Sequence, residues 1–279
     1  MYNNKIVIVR GGGDIATGVI SALWNAGYKT AVTESEKPSA IRRFVALSEA
    51  VYDGKSKVED IECVLCSSPE EINDVWAQDK IPMLVDPDCT LAESLKPIAL
   101  VDAILAKKNM GTTIDMAPIT IALGPGFCAG KDVDIVIETM RGHSLGRIIE
   151  SGYAIPDTKT PGMVAGEGER RVIHSPAEGV IKNINKITDT VKEGEPIAEI
   201  ITENGEKIPV AATINGLLRG LIRDGYYVTK GFKIADIDPR INEYNNCFTI
   251  SDKARCLGGA VLQAIGRMEY KKHENDLSR

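Results

Sequence analysis

Residues 5–34 read KIVIVRGGGDIATGVISALWNAGYKTAVTE and decide the fold of the first half of the chain. Ile6 to Val9 are apolar and mostly β-branched, which is typical of a strand buried on both faces of a parallel sheet. A helical pattern then runs to Gly27, and a second strand is predicted over Tyr28 to Thr33. The stretch therefore predicts one strand, helix, strand unit of an α/β fold.

The turn after the first strand has the spacing of a nucleotide-binding turn. Gly11, Gly13 and Ala16 fit the pattern G-x-G-x-x-A, in which the glycines give a tight turn and room for a pyrophosphate. Glu34 ends the second strand, where a carboxylate accepts hydrogen bonds from ribose hydroxyls. Asp14 favours the alternative, a turn that has lost its ligand, because its carboxylate can occupy the helix N-terminus in place of phosphate.

The composition excludes several classes of protein. The chain has 279 residues, of which 43% are hydrophobic, and its net charge of −6 argues against a nucleic-acid-binding surface. No apolar run is long enough for a membrane span, so we expect a cytoplasmic protein with no membrane partner. The three histidines and six cysteines show no metal-ligand spacing, and no metal site is predicted.

The pattern divides the chain into four parts. Residues 1–150 alternate strands and helices, including a predicted helix over 38–50, and become irregular after about residue 106. Residues 151–169 are rich in glycine and proline and are predicted to be a linker. Residues 170–240 form a second domain, and residues 241–279 contain a helix that we expect to pack on the first domain.

Further candidate site residues lie in the irregular part of the first domain. Gly124 and Gly126 form a second glycine-rich turn after a strand, and Arg141 and His143 follow the next strand. Two interpretations are open: these groups surround the same anionic ligand as the first turn, or they form a pair of hairpin-like turns with solvated charges. Asp102 lies within an apolar strand, where the pattern favours a structural aspartate with hydrogen-bond partners over a catalytic one. The catalytic residues are not identified, and Asp102 and His143 are the candidates.

Residues 172–240 contain an internal repeat at an offset of 37 residues. The matched pairs are Gly179 and Gly216, Val191 and Val228, Gly194 and Gly231, Ile197 and Ile234, and Ile200 and Ile237. This region resembles the barrel-sandwich hybrid of biotinyl and lipoyl domains, which implies two four-stranded halves with one core. Lys207 falls past the tip of the central hairpin, so no covalent biotin or lipoate is expected.

Several blocks together resemble one family. They are RGGGDIATG, VDAILAKKN, LGPGF, VIETMRGHSLGRII, DIDPR and ISDKARCLGGAVLQAI. The chain is similar to the YqeB-type accessory proteins of selenium-dependent molybdenum hydroxylase systems, and the glycine block alone resembles the nucleotide-binding domains of XdhC-type factors and precorrin-2 dehydrogenases. The resemblance implies a Rossmann-like sheet domain, a barrel-sandwich domain and a role in hydroxylase maturation.

Three functions follow from these patterns. The leading hypothesis is a maturation factor that binds a nucleotide or molybdopterin dinucleotide, with a molybdenum hydroxylase or its cofactor-assembly proteins as partners. In this hypothesis Gly11, Gly13 and Ala16 frame the phosphate turn, Glu34 holds a ribose, and Arg141 and His143 face the bound group. The alternatives are an NAD(P)-dependent oxidoreductase and a non-catalytic docking scaffold, and a homodimer is the expected assembly.

Overall fold

The computed structural model describes residues 4–158, 160 and 162–277. The parts of the predicted domains and linker that fall at 1–3, 159, 161 and 278–279 lie outside the described residues. The chain forms two compact units. The first contains the residues up to Pro38, Ala46–Asp157 and the residues from Ile250 onward, and the second contains Ser39–Val45 and Thr158–Thr249.

In its described residues the first unit is built on a nine-stranded mixed sheet. Its strands are β1 (Ile6–Arg10), β2 (Lys29–Glu34), β3 (Lys55–Val58), β4 (Ile61–Leu65), β5 (Ile81–Val85), β6 (Ala99–Asp102), β7 (Thr120–Leu123), β9 (Ile135–Ile137) and β10 (Ile148–Ile149), and a separate small pair joins β8 (Cys128–Ala129) to β11 (Gly152–Tyr153). The order across the sheet is β10, β9, β7, β6, β1, β2, β5, β4, β3. The seven central strands pair in parallel, whereas β3 and β10 pair antiparallel at the two edges.

Five α-helices occur among the described residues. They are α1 (Asp14–Asn25), α2 (Ala50–Asp53), α3 (Ile72–Ala77), α4 (Leu91–Leu95) and α5 (Asp252–Leu277). Side chains of α3 and α4 pack against one face of the sheet in a cluster with Ile8 and Leu100 of β1 and β6. Apolar strand residues are buried on both faces, as a covered parallel sheet requires, and β1 has Val7, Ile8 and Val9 fully buried.

The long helix α5 packs closely on α1. A Cβ added at Gly18 would lie 2.5 Å from the Ala254 carbonyl oxygen, and one at Gly258 would lie 2.4 Å from the Gly18 carbonyl oxygen. Gly258 also approaches Ala22. Ala254 thus lies against Gly18 and Gly258 against Ala22, so residue numbers increase in the same direction along both helices, and the two helices run parallel. The N-termini of α1 and α5 therefore lie together beside the carboxyl ends of the parallel strands.

The predicted helix over 38–50 is wrong. The segment contains two short 3₁₀ turns, Arg43–Val45 and Leu47–Glu49, before α2 begins. Within the second unit, the carbonyl of Ile41 accepts a hydrogen bond from the backbone N–H of Leu221 at 2.8 Å, which a continuous helix would use internally. These tertiary contacts override the local helical pattern.

The described residues of the second unit form two four-stranded antiparallel sheets. Their strands are β12 (Val172–His174), β13 (Gly179–Asn183), β14 (Thr190–Val191), β15 (Pro196–Ile201), β16 (Lys207–Ala211), β17 (Gly216–Leu221), β18 (Tyr227–Val228) and β19 (Lys233–Asp238). One sheet has the order β12, β19, β17, β14, and the other has the order β16, β15, β13, β18. Strands β13 to β15 correspond to β17 to β19 at the predicted offset, and both sheets contribute to one apolar core.

The predicted fold class requires correction in both units. The first unit is a mixed sheet with an antiparallel strand at each edge. Among its described connections, those from β2 to β3 and from β6 to β7 contain only 3₁₀ turns and the short helix α2. The chain therefore does not form the expected Rossmann-like parallel domain. The second unit has two sheets with separate edge strands, and its described strands show no pairing that closes them into a barrel. The biotinyl/lipoyl barrel-sandwich assignment is therefore not supported.

A buried ionic cluster connects strands of the second unit. Asp236 accepts hydrogen bonds from Arg171, at 2.5 Å, and from Arg219, at 2.6 Å. Asp238 is fully buried and accepts hydrogen bonds from Arg219 at 3.2 Å and from Arg240 at 2.8 and 2.9 Å. Each carboxylate therefore pairs with two guanidinium groups, and that of Arg219 is shared between them.

Candidate functional site

In the glycine turn after β1, Gly11 and Gly12 are packed against other protein atoms, whereas Gly13 borders open space. Gly11 has a φ of +99°, and a Cβ there would lie 3.1 Å from the backbone nitrogen of Ile104. A Cβ at Gly12 would lie 3.0 Å from the backbone nitrogen of Ser48. A Cβ at Gly13 would meet nothing within 4 Å, so the space beside the start of α1 is unfilled.

Hydrogen bonds within the protein fix the first turn of α1, which directly follows the glycines. The Thr17 hydroxyl donates to the Gly13 carbonyl at 2.9 Å and accepts the backbone N–H of Leu47 at 3.0 Å. Ala16 is fully buried, which agrees with its predicted need for a small side chain. The turn is therefore preorganised by its own residues.

Glu34 contacts the glycine turn directly. Its Oε2 accepts the backbone N–H of Gly12 at 2.8 Å, while Oε1 accepts the N–H of Ser35 at 2.7 Å and its hydroxyl at 3.1 Å. Three donors thus hold the carboxylate in one orientation at the end of β2. The sequence predicted Glu34 and the glycines in one site, and the structure brings them together.

A cavity of about 210 Å³ lies next to this carboxylate. It is at the ends of β1, β2 and β5, where ligands of open α/β sheets bind. Its lining residues are Arg10, Gly11, Thr33, Glu34, Ser35, Asp86, Pro87, Asp88, Ile104 and Met110. Acidic and apolar groups therefore surround most of the space.

Arg10 holds the loops around the cavity together. Its side chain is almost fully buried, and Nη1 donates to the Thr112 hydroxyl at 2.8 Å and lies 3.7 Å from Oδ2 of Asp102. Nη2 donates to the Met110 carbonyl at 2.8 Å, and Nε donates to the Pro87 carbonyl at 3.2 Å. The guanidinium group is thus used within the protein and fixes two loops, a role that the sequence pattern did not reveal.

Asp102 is enclosed beneath these loops. Only 2% of its surface is exposed, Oδ2 accepts the Thr112 hydroxyl at 2.6 Å, and Oδ1 accepts the Ile104 N–H at 3.2 Å. Burial raises the pKa of Asp102, while these hydrogen bonds and the charge of Arg10 oppose the rise. The catalytic role of Asp102 stays a prediction, and its carboxylate does not line the cavity.

The second glycine-rich turn packs elsewhere. A Cβ at Gly124 would lie 2.7 Å from the Thr139 hydroxyl, and one at Gly126 would lie 2.6 Å from Cα of Lys108. Strand β6 separates β7 from β1, which places the two turns about 10 Å apart across the strands. Gly124, Gly126 and Gly11 therefore all lie near the carboxyl ends of the parallel strands, but Gly124 and Gly126 pack against different residues from Gly11.

Arg141 contacts the start of α5. Its guanidinium pairs with Asp252 at 2.9 Å. Burial and the nearby charge of Arg141 lower the pKa of Lys253, while the carboxylates of Asp14 and Glu138 act in the opposite direction. Lys253 thus lies among charges from the first turn and from the segment after β9.

His143 lies in an exposed part of the same segment. The neighbouring Gly146 packs on α5, where an added Cβ would lie 3.0 Å from Sγ of Cys256. The structure gives His143 no contact with Gly11 or with the cavity, and its catalytic role stays a prediction.

Across the described residues, no three His, Cys, Asp or Glu side chains are placed to hold a metal ion. No helix in the described ranges has the length and apolar character of a membrane span.

Comparison by sequence gives one informative relative. No protein-family model matches the chain. Residues of this chain are 49% identical over 262 positions to the "Uncharacterized protein YqeB" of Escherichia coli K12, covering 94% of this chain and 47% of that protein. The chain spans about half the length of this relative.

Comparison by structure gives only distant likenesses. An aspartoacylase family protein from Mesorhizobium loti matches with 10% identity and a TM-score of 0.25, over 78% of this chain and 59% of that one. The ectoine utilization protein EutE from Ruegeria pomeroyi matches with 8% identity and a TM-score of 0.26, over 84% of each chain. A succinylglutamate desuccinylase/aspartoacylase from Rhodobacter sphaeroides matches with 11% identity and a TM-score of 0.27, over 84% of each chain. TM-scores this low assign neither a fold nor an activity.

These findings correct the predicted family role. The relative is named as uncharacterized, so its name gives no support for selenium-dependent molybdenum hydroxylase maturation. The predicted partner proteins, homodimer and cytoplasmic location stay predictions.

Proposed function

We propose that the first unit binds a nucleotide at the turn after β1. The observation that carries this proposal is the Glu34 carboxylate, which is held by the Gly12 N–H at the rim of a cavity and beside the unfilled space at Gly13. In this proposal the carboxylate accepts hydrogen bonds from the two ribose hydroxyls, and the phosphate lies beside Gly13.

The size of the cavity supports a sugar rather than a whole ligand. A volume of about 210 Å³ is below the range of roughly 300–1,000 Å³ that is usual for complete small-molecule sites. The ribose fits this space, with the base and phosphates extending from it along the sheet edge.

The charges near Gly13 support a phosphate group. The N-terminus of α1 is the positive end of the helix dipole and favours an anion, and Lys253 of α5 adds a positive charge near Asp14. The carboxylates of Asp14 and Asp252 oppose them, so we expect moderate affinity that weakens with salt.

The experiment is a thermal-shift titration with AMP, ADP and NAD, in which a ligand at a hundred times its Kd adds about 2.7 kcal/mol to the stability. Glu34→Gln should reduce the shift, whereas the exposed Glu36→Gln should not. Gly13→Leu should fold normally, because its φ of −64° suits any residue, and should abolish binding by filling the phosphate space. A wild-type protein that none of these nucleotides stabilises would contradict the proposal.

A second titration tests the ribose contact itself. Replacing ADP by its 2′,3′-dideoxy form should weaken binding to the wild type by about tenfold, since two hydrogen bonds to a charged acceptor are lost. The same replacement should have little effect on Glu34→Gln. Equal losses in both proteins would show that Glu34 does not contact the sugar.

A further inference from the structure

The first unit has a second concave surface that the proposed nucleotide site does not use. A groove of about 700 Å³ lies between α4 and the segment 113–118. Its lining residues are Asp88, Cys89, Thr90, Ala92, Glu93, Lys96, Pro97, Thr113, Ile114, Asp115, Met116, Ala117 and Pro118. This volume is that of a complete small-molecule site.

The rim of the groove is acidic. Asp88, Glu93 and Asp115 are exposed, and within the described part of the chain their carboxylates make no ion pair and no side-chain hydrogen bond. Lys96 is the one cation among the lining residues. Lys272 of α5 reaches the far end, where its amine donates to the Pro118 carbonyl. The rim therefore has more negative than positive charge, and its acids are available to a ligand.

The floor of the groove is apolar and fixed. Ala92 is buried, and Ile114 and Met116 are half-buried along the opposite wall. Asp86 holds the start of α4 by accepting the backbone N–H of Leu91 at 2.8 Å, and Met116 Sδ accepts the N–H of Thr113 at 3.4 Å. An apolar ligand body thus meets a preformed surface.

We infer that this groove binds a small organic amine, whose apolar body lies on the floor and whose protonated nitrogen pairs with Glu93 and Asp115. Charge complementarity selects a cation, because an anion would face three carboxylates against one lining lysine. The inference is independent of the nucleotide proposal. Asp88 lines both the groove and the smaller cavity, so it is left unchanged in the test.

The test uses 4-phenylbutylamine and its neutral counterpart 4-phenylbutanol as probes, with the full chain and no nucleotide present. Binding is followed by the amide chemical shifts of residues 88–97 and 113–118 in a titration. The amine should shift these amides, and the alcohol should bind more weakly. In the Glu93→Gln, Asp115→Asn double variant we expect the Kd of the amine to rise about fivefold, because two exposed charge pairs are lost.

The matched control is Asp60→Asn, which removes an exposed carboxylate outside the groove and should leave the Kd unchanged. Equal binding of amine and alcohol would overturn the inference, as would equal amine binding by the wild type and the double variant. Absence of any shift from the amine at millimolar concentration would also overturn it. A thermal shift with nucleotides would be unaffected by any of these outcomes, so the two proposals fail separately.

Discussion

Two adjacent glycines of the first turn have opposite tolerance for a side chain. A Cβ at Gly12 would lie 2.8 Å from Cε of Met83 and 3.0 Å from the Ser48 backbone, whereas one at Gly13 would meet open space. Gly12→Ala should therefore lower the free energy of unfolding by about 1–3 kcal/mol, and Gly13→Ala should change it little. Urea unfolding of the two variants checks this, and equal stabilities would contradict the described packing.

A single buried carboxylate makes the second unit sensitive to acid. Burial alone would raise the pKa of Asp238, but hydrogen bonds from Arg240 and the charge of Arg219 lower it below its ordinary value. Its stabilisation is thus present above the unfolded pKa and is lost as the pH falls through the lower folded pKa.

Asp238→Asn should cost about 2–3 kcal/mol near neutral pH, because two guanidinium groups lose a charged partner. Since this contribution is already absent, the variant should lose less further stability than the wild type below about pH 4. Thermal unfolding followed by circular dichroism over a pH series checks both statements. A parallel loss of stability by both proteins would exclude Asp238 as the source.

At the scale of elements, the contact between α1 and α5 depends on small residues at the crossing point. Gly258 faces the Gly18 carbonyl, whereas the next residue, Gly259, is exposed and would meet nothing within 4 Å. Gly258→Ala should destabilise the protein by about 1–3 kcal/mol, and Gly259→Ala should stabilise it by up to about 1 kcal/mol through helix propensity. Denaturant unfolding should move the two midpoints in opposite directions, and destabilisation by both would contradict the assigned faces.

The sequence predicted the elements that depend on local pattern. Strands such as Ile6–Arg10 and Ile81–Val85 were found because burial on both faces requires a continuous apolar run. The contact of Glu34 with the glycine turn followed from a single strand, helix, strand unit. The antiparallel edge strand Lys55–Val58 was missed, because its composition is polar and only its pairing with Ile61–Leu65 makes it a strand.

The rest of the candidate site depends on long-range packing. Lys253 lies near Asp14 only because α5 runs parallel to α1, and nothing in either local sequence encodes that pairing. The buried position of Arg10 likewise depends on carbonyls of two distant loops, at Pro87 and Met110. Such contacts leave no periodic signal along the chain.

Each unit includes a segment from a distant part of the chain. Ile41 packs on the core of the second unit, and its carbonyl accepts the Leu221 N–H. Ile41→Ala should therefore destabilise strand Gly216–Leu221 by about 2 kcal/mol, although the two are far apart in sequence. Hydrogen exchange of the Leu221 and Ile222 amides should accelerate, while that of β1 should not change. Unchanged exchange at Leu221 would show that the segment adds no stability.

The position of α5 in the chain also has a consequence for synthesis on the ribosome. The sheet and α1 of the first unit are made early, but α5 follows the whole stretch Thr158–Thr249 of the second unit. At roughly 5–20 residues per second, translation of that stretch lasts on the order of 5–20 s. Throughout this interval the face of α1 around Gly18 lacks the helix that covers it in the folded unit. The second unit is therefore complete before the first.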